Sequence, residues 1–346
     1  MAVKKWVKFG RFRHLAFLAV LLVFVLVAGC TTSTDGTAQD GGQTVRLSIA
    51  TGGTGGIYYP YGGGMASLLS EKISGVEATA EVTGASVENV RLVHTGEAQI
   101  GLVMGDVAYN GYHGLKDFEE PQNIRVLFVM YPNLMQIVTL QEYGIESFTD
   151  LKGRNVSVGA PGSGTEFFMN AVTKTLGMSY EDFSKVQRLP FADQTNAIKN
   201  GTLEVGTWVV GAGTSSIMDL ATTEKIKVIS FTDEELEKIT QAYPYYSKAV
   251  LPANTYPGQD EDVPVPGVWN VAIVSADMSE ELAYNITKTI LENTDKLIDI
   301  HKAARGTTLE NIAHSPIPLH PGAIKYLEEQ GVEIPEHLIP PEAKSE

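Results

Sequence analysis

The chain has 346 residues, with 26 Lys and Arg against 41 Asp and Glu, a formal net charge of −15 at neutral pH. That sign disfavours nucleic acid as a partner, because phosphate binding needs a basic surface. There is one cysteine, Cys30, so the rest of the chain has neither a disulfide nor a thiol nucleophile nor a cysteine-based metal site.

Residues 1–29 begin with a basic stretch carrying Lys4, Lys5, Lys8, Arg11 and Arg13 and no acid. LAFLAVLLVFVLVAG follows as an apolar core closing on small residues, which is the layout of a secretory signal peptide. The run is shorter than the ~20 apolar residues that cross a bilayer, so cleavage is expected in preference to an uncleaved anchor. Either outcome leaves the folded part extracytoplasmic. Ala28-Gly29 ahead of Cys30 resembles the lipobox of bacterial lipoproteins, which implies acylation of that thiol, palmitate included, and a lipid anchor to the cell membrane. Without the leader, 21 basic residues face 41 acids. Residues 30–44 are small and polar, and are expected to form a flexible tether.

The body opens with an apolar strand, VRLSIA, then the loop Thr51-Gly52-Gly53-Thr54-Gly55-Gly56 and a helix through YYPYGGGMASLLSEK. ATAEVT reads as a second strand and SVENVRLVHTG as a helix, with Ser86 as N-cap and Gly96 past its end. QIGLVMG is a third strand, and Asp106 opens the next helix. The long β-rich segment IRVLFVMYPNLMQIVTL comes next, after which the grammar repeats. NVSVGA, the loop PGSGT, the helix EFFMNAVTKTLG, the strand KVQRLPF, the helix QTNAIKNG, the strand LEVGTWVV and the loop GAGTSS appear in that order. VPGVWNVAIVSADM is a second long β-rich segment.

Strands alternating with helices predict an α/β fold of two open, largely parallel units, with the strand-to-helix loops gathered at the carboxyl edges where ligands bind. The two β-rich segments read as connections between the units. They place lobe 1 at 45–140 plus 262–346 and lobe 2 at 141–261, joined by a two-strand hinge around a central cleft. Lobes on such a hinge close as rigid bodies on a ligand, the behaviour of an extracytoplasmic solute receptor.

The first glycine loop precedes a helix, where free backbone N–H groups and the helix dipole can hold an anion. As a dinucleotide fingerprint it fails, because the third glycine position counted from Gly53 is Tyr58; a plain structural turn is the remaining alternative. Pro161-Gly162-Ser163-Gly164-Thr165 holds the equivalent place in the second unit. It lacks the spacer and Lys of a P-loop, and Pro161 stands where a nucleophile elbow needs glycine. Tyr58, Tyr59 and Trp208 either contact a solute or fill the lobe cores. Asp106 either caps its helix or orients an amino group of the ligand, and Trp269 reads as core or hinge packing. His301, His314, His320 and His337 have no metal-ligand spacing and are expected to be surface or packing residues. No cofactor is implied.

Five ordered segments, TGGTGGIYYPYGG, TGASVENVRLVHTGEAQIGLVMGDVAY, DLKGRNVSVGAPGSGTE, KAVLPANTYPGQDEDVPVPGVWNVAIV and PIPLHPGA, together resemble the landmarks of the TAXI family of solute-binding proteins. The match runs from about Val45 to Leu338. It implies a type II periplasmic-binding-protein fold in a monomer, with delivery of a glutamate-like amino acid or a dicarboxylate to a TRAP transporter's sodium-driven permease subunit. Carried over by position, the ligand contacts are Thr51, Gly52, Gly53, Thr54, Tyr58, Ser86, Asn89, Ser163, Gly164, Thr165 and the strand end at Trp208. Two departures fall at the expected cleft. Met104-Gly105 replaces a common glutamine-serine pair, and Gly211-Ala212-Gly213-Thr214 replaces Ala-Gly followed by proline. The first favours a less polar or differently shaped solute. Arg91 is the best-placed arginine for clamping a carboxylate, with a solvent-facing position on its helix as the equal alternative. A binding protein for an ABC importer or a membrane sensor is the alternative. The enzyme with the same two-lobed fold, porphobilinogen deaminase, attaches its cofactor through a cysteine that the mature chain lacks.

Overall fold

The structure, a computed structural model, describes residues 44–343. The expected signal peptide, the expected acylation at Cys30 and all but the last residue of the expected tether lie outside the described residues.

In chain order the first half runs β1 (Val45–Ala50), α1 (Tyr58–Lys72), β2 (Val76–Glu81), α2 (Ser86–Thr95), β3 (Ile100–Met104) and α3 (Gly105–His113), then the long β4 (Ile124–Leu140). The second runs β5 (Asn155–Ser157), α4 (Gly164–Thr175), β6 (Lys185–Gln187), α5 (Phe191–Lys199), β7 (Val205–Val210), α6 (Ser215–Thr223), β8 (Ile226–Val228), α7 (Asp233–Ala242) and β9 (Tyr246–Leu251). The chain returns through β10 (Val263–Ser275) and finishes with α8 (Glu280–Leu291), α9 (Thr294–Ile300) and α10 (Pro321–Glu329).

All ten strands share one sheet, whose main path is β2-β1-β3-β10-β4-β7-β5-β6. At one end β1 pairs in parallel with both β2 and β3; at the other, β5 pairs in parallel with both β6 and β7. The ends thus repeat one arrangement, with the first strand of each unit between its second and third. Parallel strands covered on both faces need continuous apolar sequence. β3 and β7 are buried at every position, and β4 at every position but Pro132.

β4 and β10 run antiparallel to each other between the ends. β10 pairs with β3 through Asn270–Ile273 and with β9 through Val263–Val268, while β4 pairs with β7 through Leu134–Thr139. Each strand therefore changes neighbours midway, at Trp269 and near Asn133. The β4–β10 register is irregular between Trp269 and Val271, and Trp269 lies opposite Pro132. The result is a mixed α/β fold of two lobes crossed by two strands.

Close packing explains the glycines inside α1. A Cβ at Gly62 would stand 2.5 Å from Thr51 Cγ2, and one at Gly64 would stand 2.9 Å from Leu297 Cδ2. The helix can thus lie directly on the end of β1 and on α9. The strand expected through KVQRLPF is only Lys185–Gln187, and α5 starts at Phe191. Pro190 explains the difference: it has no N–H for a ladder, and it serves as the N-cap of α5. Ser86, expected as a cap, is instead the first residue of α2, and Ala85 takes the cap position. Among the described residues no helix is long and apolar enough to cross a membrane, and no three His, Cys, Asp or Glu come together as a metal site.

Three of the four tail histidines pack locally, and His337 is exposed. His314 stacks on Trp269 with ring centroids 4.3 Å apart, and His320 caps α10 by accepting from Gly322 N at 3.2 Å. His301 Nδ1 accepts from Ala303 N at 3.1 Å.

Candidate ligand-binding cleft

A cavity of about 340 Å³ lies between the two ends of the sheet. Four helices begin on its wall: α1 at Ile57 and Tyr58, α2 at Ala85 and Ser86, α4 at Ser163, Gly164 and Thr165, and α5 at Pro190 to Asp193. The first N–H groups of a helix have no intrahelical acceptor, and its N-terminus carries partial positive charge. Four such ends around one cavity favour a negatively charged group inside it. Much of the rest of the wall is apolar or aromatic, with Met104, Val209, Val210 and Phe191, and among the described residues no Lys or Arg lines it. Its one carboxylate, Asp193, is exposed.

The two sides of the cavity are in contact. Val87 N donates to Gly162 O at 3.0 Å, and Thr214 Oγ1 donates to Gly55 O at 3.3 Å. Gly164 sits so close to Met104 and Ser86 that a Cβ there would run into the Met104 sulfur and stand 2.8 Å from Ser86 Oγ. Gly211 abuts Ile57, where a Cβ would come within 2.7 Å of Cδ1. Both departures noted in the sequence, at Met104-Gly105 and at Gly211–Thr214, therefore fall where the lobes meet. Ala85 at the cavity has φ 77° and ψ −144°, a conformation that suits glycine and strains alanine.

Eight of the twelve expected contact residues line this cavity: Gly52, Gly53, Thr54, Tyr58, Ser86, Ser163, Gly164 and Thr165. The Tyr58 hydroxyl donates to Asn270 Oδ1 at 2.5 Å and also bonds the Ser86 hydroxyl; burial holds this phenol well above its usual pKa. Ser86 Oγ accepts from Met104 N at 3.1 Å. Ser163 caps α4, its Oγ accepting from Glu166 N at 3.1 Å.

Thr51, Asn89, Asp106 and Trp208 do not line it; all four are fully buried. Thr51 Oγ1 donates to Glu81 O at 2.6 Å. Asn89 Nδ2 lies within 3.1 Å of three carbonyls, those of Ala50, Thr51 and Leu102, and so ties α2 to β1 and β3. Trp208 Nε1 donates to Ser216 Oγ at 3.1 Å, and its ring lies behind Phe191, with centroids 6.2 Å apart. Asp106 Oδ2 accepts from Tyr246 Oη at 2.8 Å, a contact between α3 and β9. Arg91 is away from the cleft as well, donating to Asp117 O at 2.8 Å and lying over the Phe118 ring. Tyr59 is exposed and not on the wall.

Tyr131 and Asn133 on β4 are among the wall residues that the sequence did not single out. Both are buried, and neither the Tyr131 hydroxyl nor Asn133 Oδ1 has a hydrogen-bond partner among the described residues. Asn133 Nδ2 donates to Val209 O at 3.1 Å and to Asn270 Oδ1 at 3.0 Å, and Asn270 Nδ2 donates to Tyr131 O at 2.7 Å. A polar chain thus runs from Tyr58 through Asn270 and Asn133 to β7, across the point where both long strands change neighbours.

Residues 49–331 match the NMT1-like family. Among solved structures the chain is similar to PhnD1 from Prochlorococcus marinus in complex with methylphosphonate, at 10% identity and a TM-score of 0.52, covering 76% of this chain and 92% of that one. It is also similar to the alkanesulfonate-binding protein SsuA from Xanthomonas axonopodis pv. citri bound to MOPS, at 11% identity, TM-score 0.45, over 83% and 91% of the two chains. A putative L-cystine ABC transporter from Listeria monocytogenes matches at 11% identity, TM-score 0.47, over 76% and 96%. At these identities the likeness is one of fold, the two-lobed fold of periplasmic binding proteins.

Proposed function

The chain belongs to the NMT1-like family, and from that premise and the cleft we propose that it is an extracytoplasmic solute receptor. It closes two lobes, 45–140 plus 262–346 and 141–261, on a small organic anion and hands it to a membrane importer. The observation that carries this is the meeting of four helix N-termini on one cavity spanned by only two strands. Gly52, Gly53, Thr54, Tyr58, Ser86, Ser163, Gly164 and Thr165 are the proposed contacts. With no Lys or Arg on the wall, backbone N–H groups and hydroxyls hold the anion instead of an ion pair. Cys30 is the proposed lipid anchor.

For the importer, an ABC-type system is the better-supported partner: of the similar structures named above, the one whose name states a transport system names an ABC transporter. The TRAP permease rests on the motif resemblance alone. Co-purification of the receptor with each class of permease from the same cell separates the two.

Calorimetric titration with glutamate, glutamine, 2-oxoglutarate and C4 dicarboxylates tests the ligand class. Micromolar binding of at least one is expected. Binding confined to cationic or uncharged solutes would overturn the anion reading.

A further inference from the structure

Among the described residues, five buried side-chain polar atoms lack a partner, and only two of them, Tyr131 Oη and Asn133 Oδ1, belong to residues on the cavity wall. Tyr131 is 1% and Asn133 3% exposed. Leaving such groups buried and unpaired is costly, so two on one wall need an explanation.

The chemical identity of the free Asn133 atom follows from its neighbours. Backbone carbonyls only accept. The Tyr131 carbonyl therefore faces the Asn270 NH2 group, which turns Asn270 Oδ1 towards Tyr58 Oη and Asn133. The Val209 carbonyl likewise faces the Asn133 NH2 group. Both constraints agree, and they leave Asn133 Oδ1 as an acceptor. An acceptor can be satisfied only by a donor, and the Tyr131 hydroxyl, two residues before it on β4, can give or take a hydrogen bond.

We propose that Tyr131 and Asn133 form a specificity-determining pair that selects solutes bearing an N–H or O–H donor in addition to the anionic group. This rests on the receptor reading above and narrows it. The preferred ligand is an amino or hydroxy acid with one group at the helix N-termini and a donor at the β4 wall. The unsubstituted acid of the same length leaves Asn133 Oδ1 unpaired in a desolvated site and is rejected, since sites built for a polar group discriminate strongly against its absence. The wall without cations gives no reason to prefer a second carboxylate.

The test is titration of the full-length protein with two series: glutamate, 2-hydroxyglutarate and glutarate; and leucine, 2-hydroxy-4-methylpentanoate and 4-methylpentanoate. In at least one series the amino or hydroxy acid is expected to bind at least tenfold more tightly than the unsubstituted acid. Tyr131→Phe removes a hydroxyl that has no protein partner, so the fold should hold. It should reduce that preference about tenfold by weakening the donor-bearing acid and sparing the other. Equal affinity within each series, or equal weakening of both acids by Tyr131→Phe, the mark of a fixed water as partner, overturns the pair's role but leaves the receptor reading standing. If none of the six binds, this inference is refuted, while the anion-receptor reading stands or falls separately on 2-oxoglutarate, glutamine and the C4 dicarboxylates.

Discussion

Asp106 offers a test whose sign and size both come from the structure. The carboxyl is fully buried at the start of α3 and accepts from Tyr246 Oη at 2.8 Å and Val107 N at 2.9 Å. Burial pushes its pKa from 3.8 up to about 6; the Tyr246 and Val107 hydrogen bonds and the charge of Lys116 oppose that rise without cancelling it. Between about pH 4 and pH 6 the folded chain therefore keeps a proton that the unfolded chain has released. Stability from this group is fully present below pH 4 and falls as pH rises through 6. The loss is ~3 kcal/mol, at 1.36 kcal/mol per pH unit of displacement. Asp106→Asn keeps an oxygen for Tyr246 and removes the charge. Urea unfolding of both proteins from pH 4 to pH 7.5 isolates the effect, because other carboxylates titrate alike in the two and cancel in the difference. The variant should gain ~3 kcal/mol on the wild type across that range, nearly all of it by pH 7. A flat difference, or a gain on going to acid, would refute the reasoning.

Three further outcomes follow. Gly164→Ala puts a methyl into the Met104 sulfur and beside Ser86; it should weaken solute binding by ~1–3 kcal/mol through hindered closure, and Met104→Ala should restore part of it. Titration of the single and double variants checks this, and an unaffected affinity for Gly164→Ala would show that closure does not need the contact. Asn89→Ala strips a donor from three buried carbonyls, a loss of ~2–4 kcal/mol in unfolding free energy, while the affinity of the protein that remains folded stays within about threefold. Cys30→Ser should move the protein from the membrane fraction to the medium and abolish palmitate labelling; retention on the membrane would exclude the lipid anchor.

Much of the cleft was legible because its makers are local. A glycine run between an apolar strand and a helix marks a helix N-terminus wherever the chain goes, and both such loops line the cavity, with Ser86 and Ser163 beside them. Residues that act through tertiary position were not legible. Every residue around Tyr131 and Asn133 but Pro132 is buried, so the sequence pattern holds no alternation to say which side chain meets a cavity. Asn270 reaches Tyr58 from a β10 position where the register with β4 slips, and one sequence does not announce such a slip. Asn89 and Trp208, carried over by position in the motifs, lie off the cavity wall, and main-chain carbonyls and Ser216 satisfy their polar atoms.

The pairing of Pro132 with Trp269 affects how the sheet bends. Proline brings no N–H, so the ladder between the two crossing strands is short of a donor at that rung. Asn133 and Asn270 are the adjoining residues, and Asn133 is on the cavity wall. If Asn133 reads the solute as proposed, bending of the two crossing strands at this rung would reach the solute through the residue that selects it.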